Sequence, residues 1–161
     1  MKKITLLLAL VCLVCFSNTA FAVELTGRSS VAVQAVISST DQDDMVTLLS
    51  AVNKHMNENL SMGVSVMYIG SDAFDIVNIG GLGKFHFNNG TSTVIPYVGA
   101  TLGVSMIDAG TVSETEASFG VMGGIDQFIS ESTAFNYELA FISQGDYDVT
   151  QGLVGLKVFF D

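Results

Sequence analysis

This 161-residue chain contains few side chains that could act in catalysis or bind a ligand. Two histidines are candidate general bases, a role that requires a partner within hydrogen-bond reach. His55 begins the segment "HMNEN", with Glu58 three residues later, and His86 lies in "GLGKFHF". Two isolated histidines, only one with a carboxylate close by in sequence, make a weak case for catalysis. We expect His86 to act as a hydrogen-bonding residue.

Two short motifs resemble functional sites but lack the context these sites require. Cys12 and Cys15 have C-x-x-C spacing, yet they lie inside an apolar run and not near a thioredoxin-like pattern. "GGLGK" (residues 80–84) resembles part of a phosphate-binding loop, but Phe85 stands where Ser or Thr is required and no helix follows. We therefore predict neither redox nor nucleotide chemistry.

The first 22 residues have the features of a secretory signal peptide. Lys2 and Lys3 precede an apolar run from Ile4 to Phe16, and "AFA" (residues 20–22) forms a small-x-small cleavage site. The run is too short to span a bilayer comfortably. We predict a cleaved signal peptide at 1–22 and one mature domain at 23–161.

The composition of the mature part indicates a membrane protein without membrane helices. Four basic residues face 16 acidic ones, a net charge of −12 with neutral histidines, which excludes a nucleic-acid-binding protein. Mean hydropathy of the full chain is +0.51, and the signal peptide accounts for only part of it, but no mature run reaches the 18 apolar residues that a membrane helix needs. Apolar composition, 16 glycines and one proline are typical of a transmembrane β-barrel.

Segments of about ten residues with period-two hydrophobicity recur along the chain, each closed by turn residues. In the fifth, Val98, Leu102 and Val104 alternate with Gly99, Thr101 and Gly103. The second fits an amphipathic helix nearly as well. The predicted strands are 24–38, 45–56, 59–70, 74–87, 94–107, 117–129, 133–145 and 149–160.

The size of the side chains decides which face of each strand is inside. The polar-leaning face consists mostly of Gly, Ala, Ser and Thr, which suit the narrow lumen of an eight-stranded barrel. Phe85 and Phe87 should then face lipid, with Lys84 and His86 inside. The predicted fold is all-β: an eight-stranded, antiparallel, up-and-down transmembrane β-barrel. The alternative is a secreted soluble barrel of lipocalin type, whose bulky face turns inward to bind an apolar ligand.

Ionic side chains on the lumen face must be paired, because unpaired buried charges are costly. We predict that Asp126 and Glu138 form bridges with some combination of three cations. The alternative is that these charges lie near the rims and are solvated. The predicted lumenal charge network, including the inward histidine, comprises Arg28, Lys84, His86, Asp126, Glu138 and Lys157.

The connections alternate in charge. Those after the first, third, fifth and seventh strands carry ten of the 16 acids, and outer-membrane barrels place such longer loops outside. Asp41, Asp43 and Asp44 are the best candidates for binding a divalent cation, although the spacing is not that of an EF-hand. Solvated loop charge is the competing interpretation, and no other cofactor is predicted.

The mature chain resembles the small eight-stranded outer-membrane barrels of Gram-negative bacteria, the porin-family group related to the OmpA transmembrane domain and OmpX. The resemblance lies in "AFA", "IPYVGATLGVS", "GVMGGIDQFISESTAFNYELAF" and "GLVGLKVFF". It implies insertion by the barrel-assembly machinery. That machinery would recognise the last strand, and the residues that fit its signal are Val154, Leu156, Val158 and Phe160. The signal usually ends on an aromatic residue, whereas here Asp161 follows Phe160. The expected partners are outer-membrane lipid and lipopolysaccharide, whose phosphates divalent cations could bridge to the acidic loops.

The resembled group also contains a lipid A deacylase with a His-x-Ser pair, and this chain lacks the pair because Phe87 and Asn88 follow His86. We therefore predict a non-enzymatic protein of the cell outer membrane with a structural, adhesive or surface-interaction role. A small-solute pore and a lipid A-modifying enzyme are further alternatives to the lipocalin-type barrel. The sequence identifies no host or surface ligand.

Overall fold

A computed structural model describes residues 23–39, 44–72, 74–90, 92–108, 110, 113–145 and 147–161. The predicted signal peptide lies outside these ranges. Within them, no helix is long and apolar enough to cross a membrane.

Eight antiparallel strands form a closed barrel in which each strand pairs with the next and the last pairs with the first. The predicted fold class is confirmed, and the helical alternative for the second segment is wrong. The strands are β1 (Ser29–Ser39), β2 (Asp44–His55), β3 (Leu60–Gly70), β4 (Asp75–His86), β5 (Val94–Asp108), β6 (Ser113–Ser130), β7 (Thr133–Gln144) and β8 (Tyr147–Phe160).

Two strands begin more than two residues away from the predicted start. β1 begins at Ser29 and not at 24, because Gly27 has a φ of 78° and the Arg28 N–H donates to the Leu25 carbonyl, which turns the chain. β6 begins at Ser113 and not at 117, because its first residues continue the ladder with β5 up to the Asp108–Ser113 pair.

The outer face of the barrel is apolar around all eight strands. Leu102 is 72% exposed and Leu139 is 62% exposed, whereas a soluble protein would bury such residues. Phe85 and Phe87 point outward, and Lys84 and His86 are buried in the lumen. The lipocalin orientation, with the bulky face inside, is therefore wrong.

The lumen is filled by side chains in layers. We call the end with the chain termini and the β2–β3, β4–β5 and β6–β7 connections the turn end, and the opposite end the loop end. An apolar cluster at the turn end contains Val23, Leu25, Ile95, Phe128, Ala134 and Phe159. A second apolar cluster, with Leu49, Met67, Ile76, Leu82 and Leu153 among its members, fills the lumen further toward the loop end. Ionic side chains lie between these clusters.

One lumenal glycine makes room for the largest side chain in the ionic layer. A Cβ atom on Gly124 would lie 2.6 Å from the Tyr97 hydroxyl oxygen, whereas the outward Gly123 has no such neighbour. The absence of a side chain at Gly124 therefore lets the Tyr97 ring lie across the lumen.

Candidate functional site: the lumenal charge layer

Two ion pairs cross the lumen between strands that share no ladder. Lys84 Nζ on β4 lies 2.6 Å from Glu138 Oε2 on β7, and Lys157 Nζ on β8 lies 2.7 Å from Asp126 Oδ2 on β6. All four side chains are at most 4% exposed. Strand alternation turns each of them inward, and the closed barrel brings distant strands face to face.

Tyr97 and Asn136 join the two pairs into one network. The Tyr97 hydroxyl donates to Glu138 Oε2 over 2.6 Å and accepts a hydrogen bond from Asn136 Nδ2 over 2.8 Å. Asn136 Nδ2 also donates to Asp126 Oδ1 over 2.6 Å. Sequence reasoning missed both residues as members of the site. Their inward position follows from the same alternation, but neutral side chains carry no charge to draw attention to them.

The network contains two cations and two anions, so its formal charge is zero. Lys84 Nζ also lies 4.4 Å from the centre of the Tyr97 ring, a cation–π distance. Burial of four charges is tolerated because each has an opposite charge and a further polar or aromatic contact. The layer therefore adds no net charge to the lumen.

Arg28 lies apart from these pairs, at the turn-end rim. Its Nη1 donates to the Glu131 carbonyl over 2.7 Å, and its Nε lies 3.6 Å from the exposed carboxylate of Asp161. For this one member of the predicted network, the structure matches the alternative of a charge near the rim.

His86 lies beside the network, fully buried. Its Nε2 is 3.0 Å from Ser61 Oγ, and its ring lies 5.0 Å from that of His55. A serine–histidine pair can be nucleophilic when an acid orients the second ring nitrogen. Here Nδ1 of His86 has no hydrogen-bond partner among the described residues, so this pair lacks the third member of such a site.

A separate polar cluster lies closer to the loop end. Asn78 Nδ2 donates to Ser105 Oγ and Ser118 Oγ, and Ser105 Oγ donates to Gln144 Oε1, over 2.6 to 2.7 Å. A cavity of about 10 Å³ lies between this cluster and the ion pairs, bordered by Asn78 and Lys84. This volume is enough for one water molecule at most.

Solved structures with the same architecture include bacterial surface and outer-membrane proteins. Neisserial surface protein A is 16% identical, with a TM-score of 0.62 over 82% of this chain and 94% of that one. The N-terminal β-barrel domain of Pseudomonas aeruginosa OprF is 10% identical, with a TM-score of 0.66 over 84% and 98%. OprG from Pseudomonas aeruginosa is 9% identical, with a TM-score of 0.62 over 86% and 98%.

The chain has the fold of the small eight-stranded outer-membrane β-barrels. No family model matches the sequence. No curated protein matches it either.

The predicted assembly-signal residues lie on β8, the strand that closes this outer-membrane barrel fold. Their side chains all point outward and are about half exposed: Val154, Leu156, Val158 and Phe160. β8 pairs with both β7 and β1, so these residues form part of the apolar outer face at the closing seam.

The predicted cation site falls largely outside the described residues. Asp41 and Asp43 are not described, and of Asp44 only the backbone is, as the first residue of β2. Among the residues that the structure does describe, no three histidine, cysteine or acidic side chains are grouped so that they could hold a metal ion.

Proposed function

We propose that the protein is an integral outer-membrane protein of a Gram-negative bacterium with a non-enzymatic, structural or surface-interaction role. The observation that carries this proposal is the inverted distribution of side chains. The outer face is apolar over all eight strands, and two ion pairs are enclosed within the lumen. Such a surface is stable only in contact with hydrocarbon.

The charges at the two ends favour a surface role at the loop end. The described basic residues lie in the lumen or at the turn end, where Arg28 and Lys54 are found. The described acids at the loop end are all exposed: Asp72, Asp75, Asp108, Glu114, Glu116 and Asp148. A partner of the loops is therefore expected to be cationic, or to be bridged through divalent cations as lipopolysaccharide phosphates would be.

A conducting pore is less well supported than a surface role. In the described residues the lumen contains two apolar clusters with an ionic layer between them, and a cavity beside that layer has room for about one water molecule. An eight-stranded barrel has an interior just wide enough for side chains to fill it.

Insertion by the barrel-assembly machinery through β8 is also part of this proposal. The alternating outward residues of β8 support it, since they end in Phe160 at the turn-end rim. Replacing Phe160 with Ser should slow insertion in cells, whereas the same change at Phe119, outward on β6, should not. Equal insertion rates for both variants would contradict recognition of the chain through β8.

Fractionation of cells that express the protein tests the proposed location. We expect it to remain in the membrane pellet after a carbonate wash and to show heat-modifiable mobility on gels. Recovery in the soluble periplasmic or culture fraction would contradict the proposal. Lipid A mass spectra that change when the gene is deleted would replace the non-enzymatic role with an acyl-modifying one.

A further inference from the structure

Residues 23–28, which we call the strap, precede β1 and lie across the turn-end mouth of the barrel. Val23 is 3% exposed and Leu25 is 1% exposed, although both lie outside the strands. Their side chains complete the apolar cluster formed with Ile95, Phe128 and Phe159. The strap thus closes the lumen with two apolar side chains at alternate positions.

The carboxylate of Glu58 anchors the middle of the strap, at Leu25 and Thr26. Glu58, on the β2–β3 connection, accepts hydrogen bonds from the Leu25 N–H at 3.2 Å, the Thr26 N–H at 2.9 Å and the Thr26 hydroxyl at 2.6 Å. Asn88, on the β4–β5 connection, donates to Glu58 over 2.7 Å and to the Val23 carbonyl over 3.2 Å. The first backbone bond described between the strap and a strand is that of Gly27 to His55.

The layer directly beneath the strap contains buried polar atoms without partners. Both ring nitrogens of His55, both amide atoms of Asn53 and the Ser30 hydroxyl form no hydrogen bond with any described residue. The ring of His55 lies 5.6 Å from that of Phe159, which belongs to the cluster that the strap completes. Unsatisfied buried polar groups cost free energy, and access to water would relieve that cost.

Two opposing contributions therefore determine the free energy of closing this mouth. Burial of Val23 and Leu25, together with the Glu58 hydrogen bonds, favours a closed mouth. Hydration of His55, Asn53 and Ser30 favours an open one. We propose that the strap is a detachable plug, held by Glu58, whose release admits water to the layer of His55 without unfolding the barrel. This goes beyond the proposed function and does not depend on it.

Cysteine labelling of the refolded protein tests the plug. The chain's own cysteines, Cys12 and Cys15, lie in the predicted signal peptide. We would place a reporter with Leu25→Cys and measure its reaction with a bulky water-soluble maleimide, with and without Glu58→Ala. Labelling should be slow in the reporter protein and faster by at least about tenfold once the charged hydrogen bonds are removed. Glu131→Ala is the matched control and should leave the rate unchanged. This acid lies at the same end, and its described hydrogen bond with the strap runs from Arg28 to its main-chain carbonyl, which the substitution keeps.

A second readout reports water entry. His55 and His86 are the only histidines in the sequence, so their ring signals can be followed by NMR. A soluble gadolinium chelate should broaden the His55 signals in Glu58→Ala but not in the unmodified protein, while heat-modifiable mobility shows that the barrel is intact. If Glu58→Ala does not fold, Thr26→Val, which removes only the hydroxyl contact, should give a smaller rise in labelling.

Three results would overturn the proposal. In the first, neither Glu58→Ala nor Thr26→Val labels faster than the reporter protein. In the second, Glu131→Ala accelerates labelling as much as Glu58→Ala. In the third, the reporter already reacts at the rate of an unfolded chain, which would mean that the strap is not docked in solution.

Discussion

Tyr97 is the residue on which both lumenal ion pairs converge. Its hydroxyl contacts Glu138 directly and reaches Asp126 through Asn136, while its ring lies beside Lys84 Nζ. Because β4 and β7 are not neighbours, the Lys84–Glu138 pair joins opposite walls of the barrel. Individual side chains in this layer therefore stabilise the closed barrel in a way that the strand ladders alone do not.

Removing one partner of a buried pair should be costly. Glu138→Ala leaves Lys84 buried without its counter-ion, and we expect a loss of about 3–5 kcal/mol of unfolding free energy in detergent. Replacing both partners, as in Lys84→Met with Glu138→Leu, should recover most of that loss. Urea unfolding measures both changes. Glu131→Ala at the rim is the control, and an equal effect there would argue against the pairing.

The stability of the strap should depend on pH through Glu58. Burial alone would raise the pKa of Glu58, but the hydrogen bonds from Thr26, Leu25 and Asn88 lower it overall below the ordinary value. A group whose pKa is lowered by folding stabilises the protein above its unfolded pKa, and this contribution is lost as pH falls through the folded pKa.

The difference in melting temperature between the unmodified protein and Glu58→Gln should therefore be largest near neutral pH. It should shrink as the pH falls below about 4.3, the ordinary glutamate value. The melting temperature of Glu131→Gln should change with pH in parallel with that of the unmodified protein. A difference that stays constant down to the most acidic pH would show that the charge of Glu58 does not contribute.

Each strand separates two environments, with hydrocarbon on one face and a packed ionic or apolar lumen on the other. β5 is the clearest case, since Val98, Leu102 and Val104 are exposed while Tyr97, Thr101 and Ser105 are buried. The outward face should therefore tolerate charge only near its ends.

Leu102 lies near the middle of β5 and Met106 lies on the same face close to Asp108. Leu102→Arg should cost about 2–4 kcal/mol of unfolding free energy in bilayers, and Met106→Arg about 0–1 kcal/mol. Denaturant titration in lipid vesicles measures the two values. Equal costs at both positions would contradict a hydrocarbon layer centred on Leu102.

The alternation of side chains was enough to predict the strands, their number and their inward faces, because all eight strands follow the same period-two pattern. It misassigned residues 24–28 to the first strand, since Val23 and Leu25 also alternate, and only docking against Phe128 and Phe159 makes that segment a plug. Leu49 made β2 ambiguous, because the lumen also contains an apolar cluster in which Leu49 is buried.

The pairing of the lumenal charges was harder to predict than their inward orientation. Which cation meets which anion depends on the registers of all the intervening strands, and Arg28 lies at the rim because β1 begins only at Ser29. Tyr97 and Asn136 join the pairs through neutral hydrogen bonds, for which composition and charge give no signal.

The molecule as a whole is a filled cylinder whose exposed charges lie at its two ends. Apolar clusters lie on both sides of the neutral ionic layer, and acids cover the loop end. A hydrated path from end to end would have to cross both apolar clusters, and apolar constrictions exclude water and ions.

Planar-bilayer recording should therefore show no steady single-channel conductance. The expectation extends to Glu58→Ala, because release of the strap would open only the turn end and leave the second apolar cluster in place. A stable conductance in the unmodified protein would show that the lumen is less filled than the packing of Met67, Leu82 and Leu153 implies.

The ladder between β1 and β8 has a consequence for the timing of biogenesis. Ser29, the first strand residue, faces Phe160, one residue from the end of the chain. The wall is incomplete until β8 has paired with β1, so every earlier intermediate carries two unsatisfied strand edges. A chain that stalls before β8 is therefore a substrate for aggregation or proteolysis rather than a smaller barrel.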